Sequence, residues 1–328
     1  MSASSRQAFI VAHDAQNAAA LRGAVVAIGN FDGVHRGHRM VIKAAGDIAR
    51  KLNRPAAVLT LEPHPRSFFK PQEPLFRLSD ARQKLRLLAA TGLDGAIVLT
   101  FNAELAALAA EDFVAKILIE HFAISGVAVG FDFHFGKNRG GSPAFLKAAG
   151  ERHGFPVEIV PPLEDGGRPV SSGGVRAALA EGRVVEAAEL LGYPWFVSGE
   201  VIHGEKRGRA LGYPTANLRL DPACNLKHGI YAVRVAVAGR RYDGVASFGR
   251  RPTFDNGAPL LEVFLFDFDG DLYGRDMDVA LIGWIRPEER FESAEALVAQ
   301  IGLDATRARE ALARAAEAFP PLGEIPAL

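Results

Sequence analysis

Short apolar runs alternate with longer segments of helical period along the first part of this chain, and the alternation stops near Gly192. The runs are Ala24 to Ile28, Ala56 to Leu61, Gly95 to Thr100, Gly126 to Val129 and Val157 to Val160. Strands this apolar, separated by helix-length crossovers, predict a parallel sheet covered on both faces, a doubly wound α/β domain. After the first run, Val41, Ile42, Ala45, Ile48, Ala49 and Leu52 fall on one helical face, with Lys43, Asp47, Arg50 and Lys51 on the other.

Beyond Gly192 the texture is different. Phe196 to His203, Gly229 to Val237, Arg241 to Phe248, Leu260 to Phe268 and Asp276 to Ile285 are β-rich runs without helical crossovers. Ala238-Gly239 between two of them reads as a tight hairpin turn, so a small antiparallel barrel is expected. At 328 residues the chain exceeds what one core accommodates. The reading is therefore two domains, residues 1–192 and 193–328. Two helices should close the chain over the barrel, one capped by Ser293 and a second starting at Asp304.

Lys plus Arg and Asp plus Glu both number 38, which argues against a protein that coats nucleic acid and makes any phosphate binding local. Cys224 is the only cysteine, excluding an intrachain disulfide and pointing to a reducing cytoplasm. Residues 1–22 lack a signal-peptide apolar region, and no stretch has the ~20 apolar residues that span a bilayer. A soluble, unprocessed protein without membrane or nucleic-acid partners, monomeric or weakly homo-oligomeric, is expected.

The run Ala24 to Ile28 leads directly into Gly29-Asn30-Phe31-Asp32-Gly33-Val34-His35-Arg36-Gly37-His38 and then a helix. Such a turn lies at the carboxyl edge of the sheet, where open α/β sheets bind ligands. Glycines allow close backbone approach, the helix start offers N–H donors, and His35 and His38 are one turn apart. The pair can face one phosphate, bind a metal, or simply lie on the surface. Neither GxGxxG nor a Walker GxxxxGK[ST] occurs here, which removes support for dehydrogenase and P-loop kinase readings.

GNFDGVHRGH resembles the signature of the HxGH nucleotidyltransferase superfamily in the form carried by bacterial FAD synthetases. The resemblance implies that His35 and His38 stabilise charge at the α-phosphate of ATP while FMN attacks and pyrophosphate leaves. It also implies that Gly29, Asn30, Phe31 and Asp32 line the ATP. Leu61 to Phe69 is similar to the family's PHP segment, giving Pro63 and His64 as flavin-binding candidates; the bare residues read equally as a rigid turn. Gly130-Phe131-Asp132-Phe133-His134-Phe135-Gly136 resembles a GxDFxFG loop with Asp132 on substrate, although such aromatics also serve as core. Val170-Ser171-Ser172-Gly173-Gly174-Val175-Arg176 stands where the family has an ISSTxxR-like motif whose hydroxyls and arginine hold ATP phosphates. Ser171, Ser172 and Arg176 keep that pattern. Gly173 replaces the usual threonine and removes one donor, a loss on the order of 1.5 to 3 kcal/mol if the bond is charge-assisted. Without the family, Ser172 reads as a helix cap.

Gly199 to Leu218 is similar to the signature of riboflavin kinases. There the resemblance implies an ATP-cradling loop, with Gly204, Gly208 and Arg209, and Mg²⁺·ATP held by Thr215 and Asn217 of a PTAN motif. Leu261-Glu262-Val263-Phe264-Leu265-Phe266-Asp267 resembles the strand whose glutamate activates the ribityl hydroxyl, making Glu262 the general-base candidate. An isolated carboxylate amid Leu260, Leu261, Val263 and Phe264 is either functional or outward-facing. Trp284 to Phe291 resembles an RPExxF segment, with Arg286 implied in the flavin site. Asp267, Asp269 and Asp271 do not make an EF-hand, because Leu272 stands where glycine is needed.

Together these segments identify a resemblance to the prokaryotic bifunctional riboflavin kinase/FAD synthetases, with an HxGH-type domain first and an antiparallel barrel with C-terminal helices second. The implied chemistry converts riboflavin to FMN and FMN to FAD, with ATP as co-substrate and Mg²⁺ as cofactor. Two rivals stand beside it: a kinase whose adenylation domain is impaired at Gly173, and a flavin-binding carrier without turnover.

Overall fold

The computed structural model describes residues 8–14, 16, 18–203, 212–250 and 259–326. The chain forms two compact units, Met1–Leu75 with Ser79–Ser171 and Pro321–Leu328, and Phe76–Leu78 with Ser172–Pro320. By compactness the division falls at Ser171/Ser172, upstream of the expected seam. The helices over residues 172–191 pack with the second unit, and the Trp195 indole N–H donates to the Leu78 carbonyl at 2.8 Å.

In the first unit, β1 (Ile10–His13), β2 (Val25–Ile28), β3 (Ala56–Glu62), β4 (Gly95–Thr100), β5 (Gly126–Gly130) and β6 (Val157–Val160) form one sheet in the order β1-β4-β3-β2-β5-β6. Every pairing is parallel. The parallel doubly wound sheet predicted by the alternation is present. The chain winds outward from β2 in both directions, so β2 and β5 flank the point where strand order reverses, and such a point opens a crevice at the carboxyl ends. β1 extends the sheet at an edge the sequence reading left empty. Four residues preceding the first obvious run carry too little periodicity to register, and their partners in β4 lie some eighty residues away.

Helix α1 (Arg36–Leu52) follows β2 and buries Val41, Ile42, Ala45 and Ala49 as its pattern predicts, while Leu52 in the last turn stays exposed. Helices α2 (Pro65–Phe69), α3 (Ala81–Ala89), α4 (Ala103–Ala107), α5 (Ala110–Asp112, continuing as a π-helix over Phe113–His121) and α6 (Pro143–His153) complete the crossovers. Their core centres on Val26, Ile28, Leu59, Ile97 and Val127, with Phe113, Leu118 and Leu146 packed against it. A short hairpin, β7 (Glu164–Asp165) and β8 (Arg168–Pro169), follows the sheet.

The second unit begins with α7 (Ser172–Ala180) and α8 (Val184–Leu191) and continues into β9 (Phe196–Glu200), β10 (Ala216–Arg219), β11 (Gly229–Val237), β12 (Arg240–Arg250), β13 (Pro259–Leu265) and β14 (Asp276–Arg286). These six strands are antiparallel in the order β10-β13-β12-β11-β14-β9. A bridge between Ile202 and Asn217 brings the two ends together, so the sheet nearly closes into the expected barrel. Ala238 and Gly239 both have positive φ, as a two-residue hairpin turn requires.

The C-terminal region corrects the expectation of two helices. A single helix α9 runs from Ala294 to Arg314, with Ser293 capping it by accepting from the Ala296 N–H at 3.1 Å. Asp304 does not start a second helix, because its carboxylate is needed elsewhere. It lies buried inside α9 and takes a two-pronged ion pair from Arg286, at 2.8 Å from Nε and 2.6 Å from Nη2. Ala308 and Leu312 of α9 pack on Ile230, Ala232 and Val245 of the barrel. Removing one partner strands the other charge, so Asp304→Ala should cost the second unit ~3–5 kcal/mol. Trp195 and Trp284 are the only tryptophans and both lie in this unit, so urea unfolding followed by tryptophan fluorescence measures the loss.

Candidate functional site

In the first unit, the turn after β2 places its residues at the reversal point of the sheet. His35 caps α1: its Nδ1 accepts from the His38 backbone N–H at 3.3 Å. An accepting Nδ1 leaves the ring proton of a neutral imidazole on Nε2. The His35 and His38 rings stack at 3.6 Å between centroids and 18° between planes, and Phe31 meets His38 edge-on at 5.3 Å. Of the two, His35 is buried and His38 half-buried. Gly37 is closely enclosed here, since a Cβ would approach the His35 ring to 3.2 Å and the Val170 carbonyl oxygen to 3.3 Å. That contact brings Val170, and with it Ser171, beside the histidine turn.

Other candidates in this turn carry structural duties. Asp32 is buried, and its carboxylate accepts from the Ser79 N–H at 3.1 Å while Ser79 Oγ accepts from the Gly33 N–H at 3.0 Å. Phe31 is buried with φ of 50° and lies over Gly29, whose Cβ would be 3.3 Å from its ring. Asn30 presents its carbonyl to Thr60 Oγ1 at 3.2 Å.

Pro63 is exposed, and His64 caps α2 by accepting from the Arg66 N–H at 3.1 Å. Beside them Phe68, Phe69 and Phe101 form a partly exposed aromatic cluster with centroid separations of 5.3 to 5.6 Å. Phe101 escaped the sequence reading because it follows β4, far from Phe68 along the chain. The aromatic loop divides its roles: Phe135 is core and packs on Phe113, Phe133 and Phe145, whereas Phe131 and Asp132 are exposed. Ser171 lies in the first unit; Ser172 and Arg176 fall in the second, where Ser172 is the first residue of α7 and Arg176 Nε donates to the Phe76 carbonyl at 2.5 Å. Gly173 sits in the first turn of α7.

In the second unit, strand register assembles the other site. Asn217 of β10 lies directly opposite Glu262 of β13, and Glu262 lies opposite Ser247 of β12. Residues directly opposite in an antiparallel pair share a face, so the three form one polar row across three strands. Ser247 in turn opposes Ile230, which faces α9, so the row lies on the face that α9 partly covers. Asn217 is buried and its amide donates to the Thr215 carbonyl at 3.4 Å, while Glu262 and Thr215 are half-buried. The sequence offered burial among apolar neighbours as a mark of Glu262. The strand instead alternates, Leu261 and Val263 being buried and Glu262 half-open with Leu260 and Phe264, and it is the register with Asn217 that marks the residue.

Glu288, the glutamate of the RPExxF segment, is a second carboxylate here, and nothing in the sequence signals that it lies near Glu262, because the two are far apart along the chain. Burial raises its carboxyl above the usual range, nearby Glu262 adds to the rise, and His228 and Arg286 oppose it. His228 Nδ1 lies 3.6 Å from its carboxylate. Arg286 is committed to Asp304 and the Pro287 carbonyl, which makes it an anchor for residues 287–291 rather than an open donor. Gly204, Gly208 and Arg209 lie outside the described residues. Among the described residues no three His, Cys, Asp or Glu side chains gather as a metal cluster, and Asp267 pairs with Arg309 instead.

Residues 17–174 match the FAD synthetase family, and residues 191–312 match the riboflavin kinase family. The chain is 42% identical over 289 residues to the bifunctional riboflavin kinase/FMN adenylyltransferase of Escherichia coli (strain K12), covering 88% of this chain and 92% of that protein. The protein of the same name from Pseudomonas fluorescens is 43% identical over 289 residues, covering 88% and 93%. A crystal structure of a macrolide-efflux protein from Streptococcus pneumoniae matches with a TM-score of 0.81 at 32% identity, covering 94% of this chain and 99% of that one. That name disagrees with the enzyme names. Among the described residues no helix is long and apolar enough to cross a membrane, and both family matches and the higher identities fall on the enzymes' side. With these matches in the same order as its two compact units, the chain belongs to the bifunctional riboflavin kinase/FMN adenylyltransferase family.

Proposed function

We propose that this protein phosphorylates riboflavin to FMN at the barrel and adenylates FMN to FAD at the reversal point of the parallel sheet, using ATP in both reactions. The division of labour follows residues 1–192 and 193–328. The observation that carries the reading is that each unit holds its own polar constellation, Asn217–Glu262 in one and His35–His38 in the other.

At the barrel, Glu262 accepts the proton of the terminal ribityl hydroxyl as that oxygen attacks the γ-phosphorus and ADP leaves. Glu288 lies near enough to Glu262 for the two carboxyls to interact, and burial first and that neighbour second raise the Glu288 carboxyl above its usual range. Thr215 and Asn217 offer hard oxygen donors, and among the described residues no three His, Cys, Asp or Glu side chains gather beside them. This fits Mg²⁺, which takes few protein ligands and keeps phosphate and water. Bound there, the ion would neutralise phosphate charge.

At the parallel sheet, a phosphate oxygen of FMN attacks the α-phosphorus of ATP and pyrophosphate leaves. His35 and His38 direct N–H donors at the charge that develops. The exposed cluster of Phe68, Phe69 and Phe101 offers an apolar shelf for a planar flavin ring, next to Pro63 and His64. Asp132, exposed after β5, is assigned to substrate and Ser171, beside the histidine turn, to the ATP phosphates. A cytoplasmic setting suits Cys224, whose buried thiol is pushed up to about 11 and stays protonated.

Incubating the purified protein with riboflavin, ATP and Mg²⁺, and separating flavins over time, tests the reading. FMN should rise first and FAD follow. FMN alone would mean that Gly173 has disabled adenylation, which the placement of Gly173 in the first turn of α7 keeps as a second reading. Riboflavin bound without product would leave only a carrier.

A further inference from the structure

Strands β2 and β3 pair in register from Val25 with Ala56 to Ile28 with Leu59, and the Gly29 N–H still donates to the Leu59 carbonyl at 3.2 Å. Past that bond the strands part. β2 enters the histidine turn, and Thr60, Leu61 and Glu62 continue with β4 alone as partner. Lys84 of α3 fills the gap. It is 2% exposed, and its ammonium lies 2.7 Å from Glu62 Oε1, 3.2 Å from Thr60 Oγ1, 3.4 Å from the Asn30 carbonyl and 3.5 Å from the Leu61 carbonyl. Thr60 Oγ1 itself donates to the Asn30 carbonyl at 3.2 Å.

One buried charge thus joins the residue that opens the histidine turn to the residue that precedes Pro63 and His64. Burying a lysine costs more than most contacts return, and a buried ion pair adds little net stability over apolar residues of the same shape. Its geometric effect is considerable, because the two turns could otherwise shift independently at the edge where they must meet one substrate. We propose that Lys84 is a positioning residue for adenylyl transfer, locking the turn at Asn30 to the segment at Glu62 through their shared bonds to its ammonium. The inference rests on the adenylation reading above.

The test uses the full-length protein with FMN, ATP and Mg²⁺. Misplacing reacting groups by about 1 Å can cost ~10²-fold, so Lys84→Met should lower kcat for FAD formation by about that factor and leave KM for ATP and FMN unchanged. FMN formation from riboflavin in the same preparation should hold at the wild-type rate, since Lys84 lies in the other compact unit. A merely structural role would lower both kcat and the folded fraction and would be repaired by removing the stranded charge. The double variant Glu62→Gln/Lys84→Met supplies that control. A persistent kcat loss in it supports positioning, even if Lys84→Met alone unfolds. Wild-type kcat in either variant overturns the proposal. A wild-type protein that makes no FAD rejects the adenylation reading and this inference together, which is distinct from active wild type with an active variant.

Discussion

Glu262→Gln is expected to lower FMN formation from riboflavin by ~10²- to 10⁴-fold, the range that a general base contributes. Adenylation of supplied FMN should continue at the wild-type rate. Glutamine keeps the size of the side chain and its place opposite Asn217 and Ser247, so the barrel should fold as before. What it lacks is the capacity to take a proton. The substitution also removes the charge that helps hold the Glu288 carboxyl above its usual range, so Glu288 should become more acidic without replacing Glu262 as base. Initial rates of each reaction, measured separately on one preparation by flavin chromatography, check the prediction. An equal loss of both activities would reject two separate sites, and retained kinase activity would reject Glu262 as the base.

His38→Ala should give the opposite pattern, with FAD formation from FMN falling by ~10²- to 10³-fold, as when one donor to a developing charge is removed. Kinase activity should be unaffected. This histidine is the cleaner of the two to remove. The cap of α1 uses the His35 ring as acceptor and the His38 backbone N–H as donor, and alanine keeps that N–H. His35→Ala would remove the cap as well and cost ~1 kcal/mol of stability, mixing two effects. The alanine variant loses ring contacts with His35 and Phe31, so circular dichroism should accompany the rates to show that the unit is intact. Unchanged adenylation in the folded variant would remove His38 from the machinery.

Local order was legible in the amino acids because its causes are local. The apolar runs of the first unit, the amphipathic face of α1, the Ser293 cap and the Ala238-Gly239 turn each depend on residues within a few positions of one another. The histidine turn was legible for the same reason, since strand, glycines and helix follow each other directly. Single residues in a pattern were harder to weigh. Asp304 looks like a helix start on its flanking sequence, but inside α9 its carboxylate is held by Arg286 of β14 and by Gln300 one turn earlier.

By itself, then, the sequence determined the class of each half, the strand-to-helix turn that carries His35 and His38, and the candidates Thr215, Asn217 and Glu262. Tertiary structure alone decided the order of strands that puts that turn at the reversal point, the addition of β1, the register that sets Glu262 between Asn217 and Ser247, and the meeting of Lys84 with Glu62 and of Glu288 with Glu262. The physical reason is common to these cases. Periodicity and caps are set by neighbours along the chain, whereas register and buried charge pairs are set by which distant segments close the core, where an ion is stable only beside a partner that the fold brings to it.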